Sequence, residues 1–161
     1  MNVLVLADTH VPDHARSLPD ALRPHLEWAE LMLHAGDITS EATLAELETY
    51  APVHAVCGNI DQWDLRERLP DTLQLQLRGV QVGMVHDSGP RQGRERRLRE
   101  RFPEAGLIVF AHSHQPVNEA VDGVRFLNPG SPTWKRRTPT PTVARMVASS
   151  GGVEITLVDL A

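Results

Sequence analysis

A single cysteine, Cys57, among 161 residues leaves no partner for an intrachain disulfide and no thiolate set for a zinc knuckle. That usage fits a reducing compartment, and a cytoplasmic protein is expected. No stretch approaches the roughly 18 consecutive apolar residues of a membrane span. The N-terminal run Val3-Leu4-Val5-Leu6-Ala7 has no positive charge before it among the side chains and stops at Asp8, so neither an export signal nor a membrane partner is read. Basic residues do not dominate: 16 Lys+Arg against 21 Asp+Glu give a net charge of −5, which argues against a nucleic-acid coat or a polybasic membrane binder. Aromatic side chains are scarce, with three Phe, three Trp and one Tyr, whereas histidine occurs eight times. An excess of acid–base and metal-ligating groups over stacking groups directs the search to a polar site. The length suits one domain spanning residues 1–161.

Val3–Leu6 reads as a buried central strand, Leu31–Ala35 as a second and Val53–Val56 as a third. Between them, Leu18, Leu22 and Leu26 predict a helix to Trp28 with a break near Pro24, and Thr39/Ser40 can cap a helix carrying Leu44 and Leu47. After Pro70 the pattern changes. Leu73, Leu75 and Leu77 alternate with glutamines, Arg78-Gly79 turns, and Val80–Val85 returns, which is a hairpin. An arginine-rich helix over 91–101, a buried strand Leu107–Phe110, a hairpin about Asp122-Gly123 and strands at 143–147 and 153–158 complete the chain. Helices early and hairpins late predict an α/β fold of two packed β-sheets flanked by helices, a four-layer α/β/β/α sandwich.

Strand after strand ends in a potential ligand: Asp8 and His10, Asp37, Asn59, His86, then His112 and His114. Ligands gather outside the carboxyl ends of strands in open α/β sheets, so residues far apart in sequence are expected to converge there. Seven nitrogen and oxygen donors exceed one tetrahedral metal and suit two sharing a bridge. Asp8-x-His10, Gly36-Asp37, Gly58-Asn59-x-Asp61, His86 and His112-x-His114, followed by Asn128-Pro129-Gly130-Ser131, occur in an order and spacing that resemble the calcineurin-like metallophosphoesterases, and within them a short phosphodiesterase branch of bacteria and archaea.

The resemblance implies that Asp8, His10, Asp37 and His114 hold a first divalent metal, and Asp37, Asn59, His86 and His112 a second, with Asp37 bridging. It further implies a metal-bridging hydroxide attacking phosphorus in line, so that Asp37, Asn59 and His112 act catalytically through the metals. A nitrogen–oxygen set without thiolate suits manganese first, with nickel, iron or zinc also compatible. Phosphate-ester small molecules are the expected partners, phosphodiesters ahead of monoesters, and a homo-oligomer is compatible. Two departures bear on this. Ile60 stands where many members carry a histidine that assists the leaving group, and Asp87 follows His86 where the family has glycine, placed to repel dianionic monoesters or to hold His86. Two alternatives stay open: a non-catalytic interaction scaffold, as in a similar retromer subunit of eukaryotes, and a phosphomonoesterase on a small metabolite.

The remaining polar residues have plainer readings. Asp61 either orients a ligand or is a loop carboxylate or the cap of a turn through Trp63-Asp64, and His34 reads as a hydrogen-bonded core residue. His25 reads as a helix-surface position and His54 as a strand position, His14 as a solvated loop, and Cys57 as a small buried packing residue. The run Arg91, Arg94, Arg96, Arg97, Arg99, Arg101 reads as a solvated helix face, with Arg91 nearest the site. Lys135-Arg136-Arg137 either contacts an anionic substrate or decorates a loop.

Overall fold

The apolar run at the N-terminus forms β1 (Asn2–Leu6), whose Val3, Leu4, Val5 and Leu6 are all fully buried, as a central strand covered on both faces requires. The computed structural model describes residues 1–160. After β1 come a 3-10 turn (Asp20–Leu22), α1 (Arg23–Trp28), β2 (Leu31–His34), α2 (Glu41–Glu48), β3 (Val53–Ala55) and α3 (Trp63–Arg68). The second half comprises β4 (Thr72–Leu77), β5 (Val80–Val85), α4 (Arg94–Arg101), β6 (Leu107–Val109), β7 (Val117–Val121), β8 (Val124–Asn128), β9 (Thr142–Ser149) and β10 (Gly152–Asp159).

These strands form two five-stranded mixed sheets, ordered β10-β9-β1-β2-β3 and β4-β5-β6-β8-β7. Alternation along each strand decides which layer a side chain enters. Val3, Val5, Leu31 and Leu33 of the first sheet meet Val82, Met84, Leu107, Val109 and Leu127 of the second in the central core. Their neighbours point the other way: Leu4, Leu6 and Met32 pack under Leu22, Leu26 and Leu47, while Ile108, Phe110 and Phe126 pack under Leu98 and Phe102. Helix, sheet, sheet and helix are thus the four layers expected from the sequence.

Local chemistry accounts for most boundaries. Ser40 caps α2 by accepting from the Thr43 N–H at 3.2 Å. Arg78 and Gly79 both have positive φ, 48° and 90°, as a two-residue type I′ hairpin requires, and Asp122 and Gly123 repeat this at 46° and 81°. The first helical segment differs from the expectation. Leu18 lies outside it, and Pro24 occupies the first turn of α1, where its missing N–H costs nothing, so the break precedes the proline. The arginine helix likewise begins at Arg94, because Gly93 at φ 72° ends the preceding loop. Among the described residues no helix is long and apolar enough to cross a membrane.

Candidate metal centre

Parallel strands of both sheets end at one rim, and their C-terminal loops carry every site residue read from the sequence. β1 delivers Asp8 and His10, β2 Asp37, β3 Asn59, β5 His86, and β6 His112 and His114. The loops bend sharply. Asp8, His10, Asp37, His112 and His114 all have φ between 49° and 70°, a left-handed conformation that non-glycine residues adopt at a cost of about 1 kcal/mol or more each. Five such residues at one rim mark loops shaped to aim side chains inward.

The ligating atoms fall into two groups, Asp8–His10–His114 and Asp37–His86–His112, each lying within 4.8 Å. Nε2 of His10 is 3.8 Å from Asp8 Oδ1 and 3.1 Å from His114 Nε2, and His114 Nε2 is 3.5 Å from Asp8 Oδ1. Asp37 stands between the groups: its Oδ2 is 3.7 Å from His10 Nε2 and 3.3 Å from His86 Nε2, while its Oδ1 accepts the Ile60 N–H. Asn59 Oδ1 lies 2.9 Å from His86 Nε2 and 3.0 Å from His112 Nδ1. All seven residues therefore converge.

The surrounding backbone fixes which atoms face inward. His86 Nδ1 donates to the Ala35 carbonyl at 2.8 Å and His114 Nδ1 to the Trp134 carbonyl at 2.7 Å, so in the neutral rings each Nε2 turns a lone pair to the centre. These lone pairs meet carboxylate and amide oxygens, and acceptor against acceptor is relieved only by a proton or a cation. Asp8 states the problem most sharply. Its Oδ2 accepts the His112 N–H, but its buried Oδ1 has no hydrogen-bond partner. Burial pushes the Asp8 carboxyl up to about 7, with Asp37 adding to the rise and His86 opposing it. Burial pushes His114 down to about 4 and lowers His10 as well. Burial opposes charge on His86 too, yet the Asp37 carboxylate, by hydrogen bond and charge, carries it above its usual value. Two carboxylates, four imidazoles and one amide oxygen with converging, unmatched lone pairs fit divalent cations.

Asp61, which the sequence left between two readings, organises the loops. Buried, its carboxylate accepts from the Thr39 and Gly58 N–H groups at 2.7 Å each and from Asp37 N–H at 3.2 Å, locking the Asp37 and Asn59 loops together. Gly58 permits that approach: a Cβ there would lie 2.0 Å from Asp37 Oδ1 and 2.2 Å from Asp37 N. His34 joins the first two loops from below, its Nε2 2.6 Å from Thr9 Oγ1 and its Nδ1 accepting the Gly36 N–H, consistent with its reading as a core histidine. Ser131, from the Asn-Pro-Gly-Ser segment, donates to the Asp8 carbonyl and accepts from the Trp134 N–H.

Several plainer readings need correction. Asp87 does not hold His86; it is exposed, accepts from the Gly89 N–H, and leaves that role to Ala35. Cys57 is half-buried at the loop edge, its thiol donating to the Gly58 carbonyl, because β3 ends two residues earlier. His14 is exposed but not idle: its ring stacks on Trp134 at 4.4 Å, and both line a cleft of about 350 Å³ with Ile60 and Arg136 beside His10 and His112. The Arg136 guanidinium lies over the Trp134 ring at 4.7 Å and donates to the His112 carbonyl, which separates it from Lys135 and Arg137. Sequence spacing alone could not tell these three apart.

The fold and site thus define a four-layer α/β/β/α protein with a histidine–carboxylate centre where the two sheets' parallel strands end. A family model, the calcineurin-like phosphoesterase superfamily domain, matches residues 1–151, and the chain belongs to that family. It is 37% identical over 158 residues to a probable metallophosphoesterase of Methanothermobacter thermautotrophicus, covering 96% of this chain and 91% of the relative. It is 27% identical to phosphodiesterase MJ0936 of Methanocaldococcus jannaschii, covering 81% and 83%. Among solved structures, a Vps29 single mutant from Entamoeba histolytica superposes with a TM-score of 0.78 at 25% identity, covering 99% of each chain.

Proposed function

We propose that the chain is a metal-dependent phosphodiesterase whose centre holds two divalent ions. The observation that carries this reading is the orphaned, buried Asp8 Oδ1 amid inward-facing imidazole lone pairs. Asp8, His10, Asp37 and His114 would hold one ion, and Asp37, Asn59, His86 and His112 the other, manganese being the first choice for a nitrogen–oxygen set. When bound, such ions lower the pKa of water and offset charge on phosphoryl oxygens.

The chain's own residues do the rest. Asp37 serves both groups because only its Oδ1 is engaged by the backbone. Ala35 and Trp134 fix the His86 and His114 tautomers, and Asp61 holds the two loops in register. Arg136, braced on Trp134 and on the His112 carbonyl, offers guanidinium donors to a non-bridging ester oxygen at the cleft wall. Ile60 lines the same cleft and can donate no proton, so the leaving group must depart as a stable anion, which favours activated esters. The reading places the protein in the cytoplasm as one domain over residues 1–161.

The test is hydrolysis of bis(p-nitrophenyl) phosphate and p-nitrophenyl phosphate by chelator-treated protein resupplied with Mn²⁺, Ni²⁺, Zn²⁺ or Mg²⁺, with the bound metal counted. Two metals per chain and faster diester than monoester turnover are expected. Faster monoester turnover would make it a phosphomonoesterase, and two bound metals without turnover of either ester would leave a scaffold.

A further inference from the structure

The arginines of α4 and its preceding loop divide by what they touch. Arg97 donates to the carbonyls of Ser88, Pro90 and Gln92 and ties the loop to the helix. Arg99 donates to the Val121 carbonyl and pairs with Asp122, and Arg96 pairs with Glu100 one turn on. Arg94 is different. It is only 9% exposed, its guanidinium lies over the Phe110 ring at 4.6 Å, and its buried Nε has no hydrogen-bond partner. Its one carboxylate neighbour, Glu95, is 3.9 Å away, at the limit of an ion pair. A buried guanidinium with an unsatisfied donor is costly unless an acceptor reaches it.

Arg94 opens α4, so the positive end of that helix adds to its field. Together with Arg91 it lines a recess of about 290 Å³ that shares His112 with the catalytic cleft as a common wall. Ser113 and Gln115 supply further polar atoms, while Asp87 and Glu119 bring two carboxylates to the same recess. Two guanidiniums against two carboxylates leave little net field, so an anion held here must be read by direct hydrogen bonds to Arg94.

We propose that this recess is an anion subsite in which Arg94, aided by Arg91, binds a second phosphate group of the substrate while its scissile phosphate lies across His112 at the metal centre. The inference rests on the phosphoesterase reading for its substrate role but not for the anion site itself. It narrows the substrate to a small phosphodiester carrying a further phosphate, and the same site chemistry would accept free inorganic phosphate.

Inorganic phosphate titrated calorimetrically into metal-free protein tests the subsite without the metal centre. The wild type is expected to bind one phosphate, Arg94→Met to weaken it about tenfold or more, as loss of a charge-assisted hydrogen bond does, and Arg91→Met to weaken it less. Arg96→Met, whose arginine pairs with Glu100 outside both the recess and the cleft, should bind phosphate as the wild type does. No binding by the wild type, or binding unchanged in Arg94→Met, overturns the proposal. If Arg94→Met does not fold, unchanged affinity in the exposed-site variant Arg91→Met together with Arg94→Lys overturns it instead.

The source of the phosphate is read from two aryl diesters with the same leaving group, one bearing a further phosphate. Arg94→Met should raise KM for the phosphorylated ester with little change in kcat and leave the plain ester unaffected. Equal effects on both esters would overturn the substrate role and make the recess a site for free phosphate. Arg94-dependent phosphate binding without turnover of either ester would overturn the esterase reading and uphold the anion site.

Discussion

At pH 8 the metal-free protein must keep the Asp8 carboxylate ionised with one oxygen facing only imidazole nitrogens. Burial, with Asp37 adding and His86 opposing, moves this carboxyl from 3.8 to about 7. Between those values the folded chain holds a proton that the unfolded chain has lost, so stability falls as pH rises through the window and the whole cost is present above pH 7. A shift of about three units at 1.36 kcal/mol each amounts to on the order of 4 kcal/mol. Asp8→Asn removes the charge and suits the metal-free pocket. Its amide oxygen can keep the His112 N–H, and its amide nitrogen can donate toward the His114 Nε2 lone pair that now lies 3.5 Å from Oδ1. At pH 8 the metal-free variant should therefore melt roughly 10 °C above the wild type, and the gap should close near pH 4. Manganese should close most of the gap: at a concentration 100-fold above Kd the wild type gains about 2.7 kcal/mol, and the variant, lacking a ligand, gains little. Melting curves at both pH values, with and without Mn²⁺, read all four states. A metal-free Asp8→Asn that melts below the wild type at pH 8, or gains as much from Mn²⁺, refutes the reasoning.

Asp61→Asn should damage the centre nearly as much as Asp61→Ala, because an amide presents N–H to one of the two oxygens' donor partners; turnover down at least about tenfold and bound metal reduced are expected, and near-normal metal content would tell against the role given to Asp61. Gly58→Ala should fail in the same way through collision with Asp37, read as metal content in the purified variant. His34, pushed from 6.5 down to about 3 mainly by burial, is neutral in the fold. Its contribution is present above pH 6.5 and is lost as pH falls toward 3, about 2 kcal/mol of it between pH 7 and 5. Urea denaturation of His34→Gln should show a correspondingly shallower loss over that range, and an unchanged slope would locate the acid sensitivity elsewhere. Ile60→His should speed hydrolysis of esters with poor leaving groups more than activated ones; an equal gain on both would remove proton donation as the explanation.

The parts of this protein that were legible in the sequence are those set by local pattern. Continuous apolar runs gave β1, β2 and β6, alternation gave the β4–β5 hairpin, and polar residues just beyond the strands picked out the seven side chains that converge at the rim. Strand ends in parallel sheets share a rim, so a one-dimensional signal became a three-dimensional cluster without any contact being known. What escaped depends on which atoms meet across the fold. Asp61 and Asp87 are each a carboxylate near a ligand, and the sequence weighed both as supports. Asp61 is buried against three N–H groups, whereas Asp87 turns out to solvent because the Ala35 carbonyl already occupies His86 Nδ1.

The arginine run shows the same division at the level of a helix. Its charge density predicts solvation, and the hydrophilic sequence of α4 contains only Leu98 as an apolar core contact. Yet a helix of eight residues lying on a sheet must bury a stripe at its N-terminal end as well, and residue 94 is four positions before Leu98, on the same face. Arg94 is buried there by geometry, its guanidinium over the Phe110 ring and at the wall of the recess beside His112. Had the position served packing alone, a leucine would fill it at less desolvation cost. A guanidinium whose buried Nε has no acceptor, on the face that adjoins the metal centre, is what sets Arg94 apart from the solvated charges of the same helix.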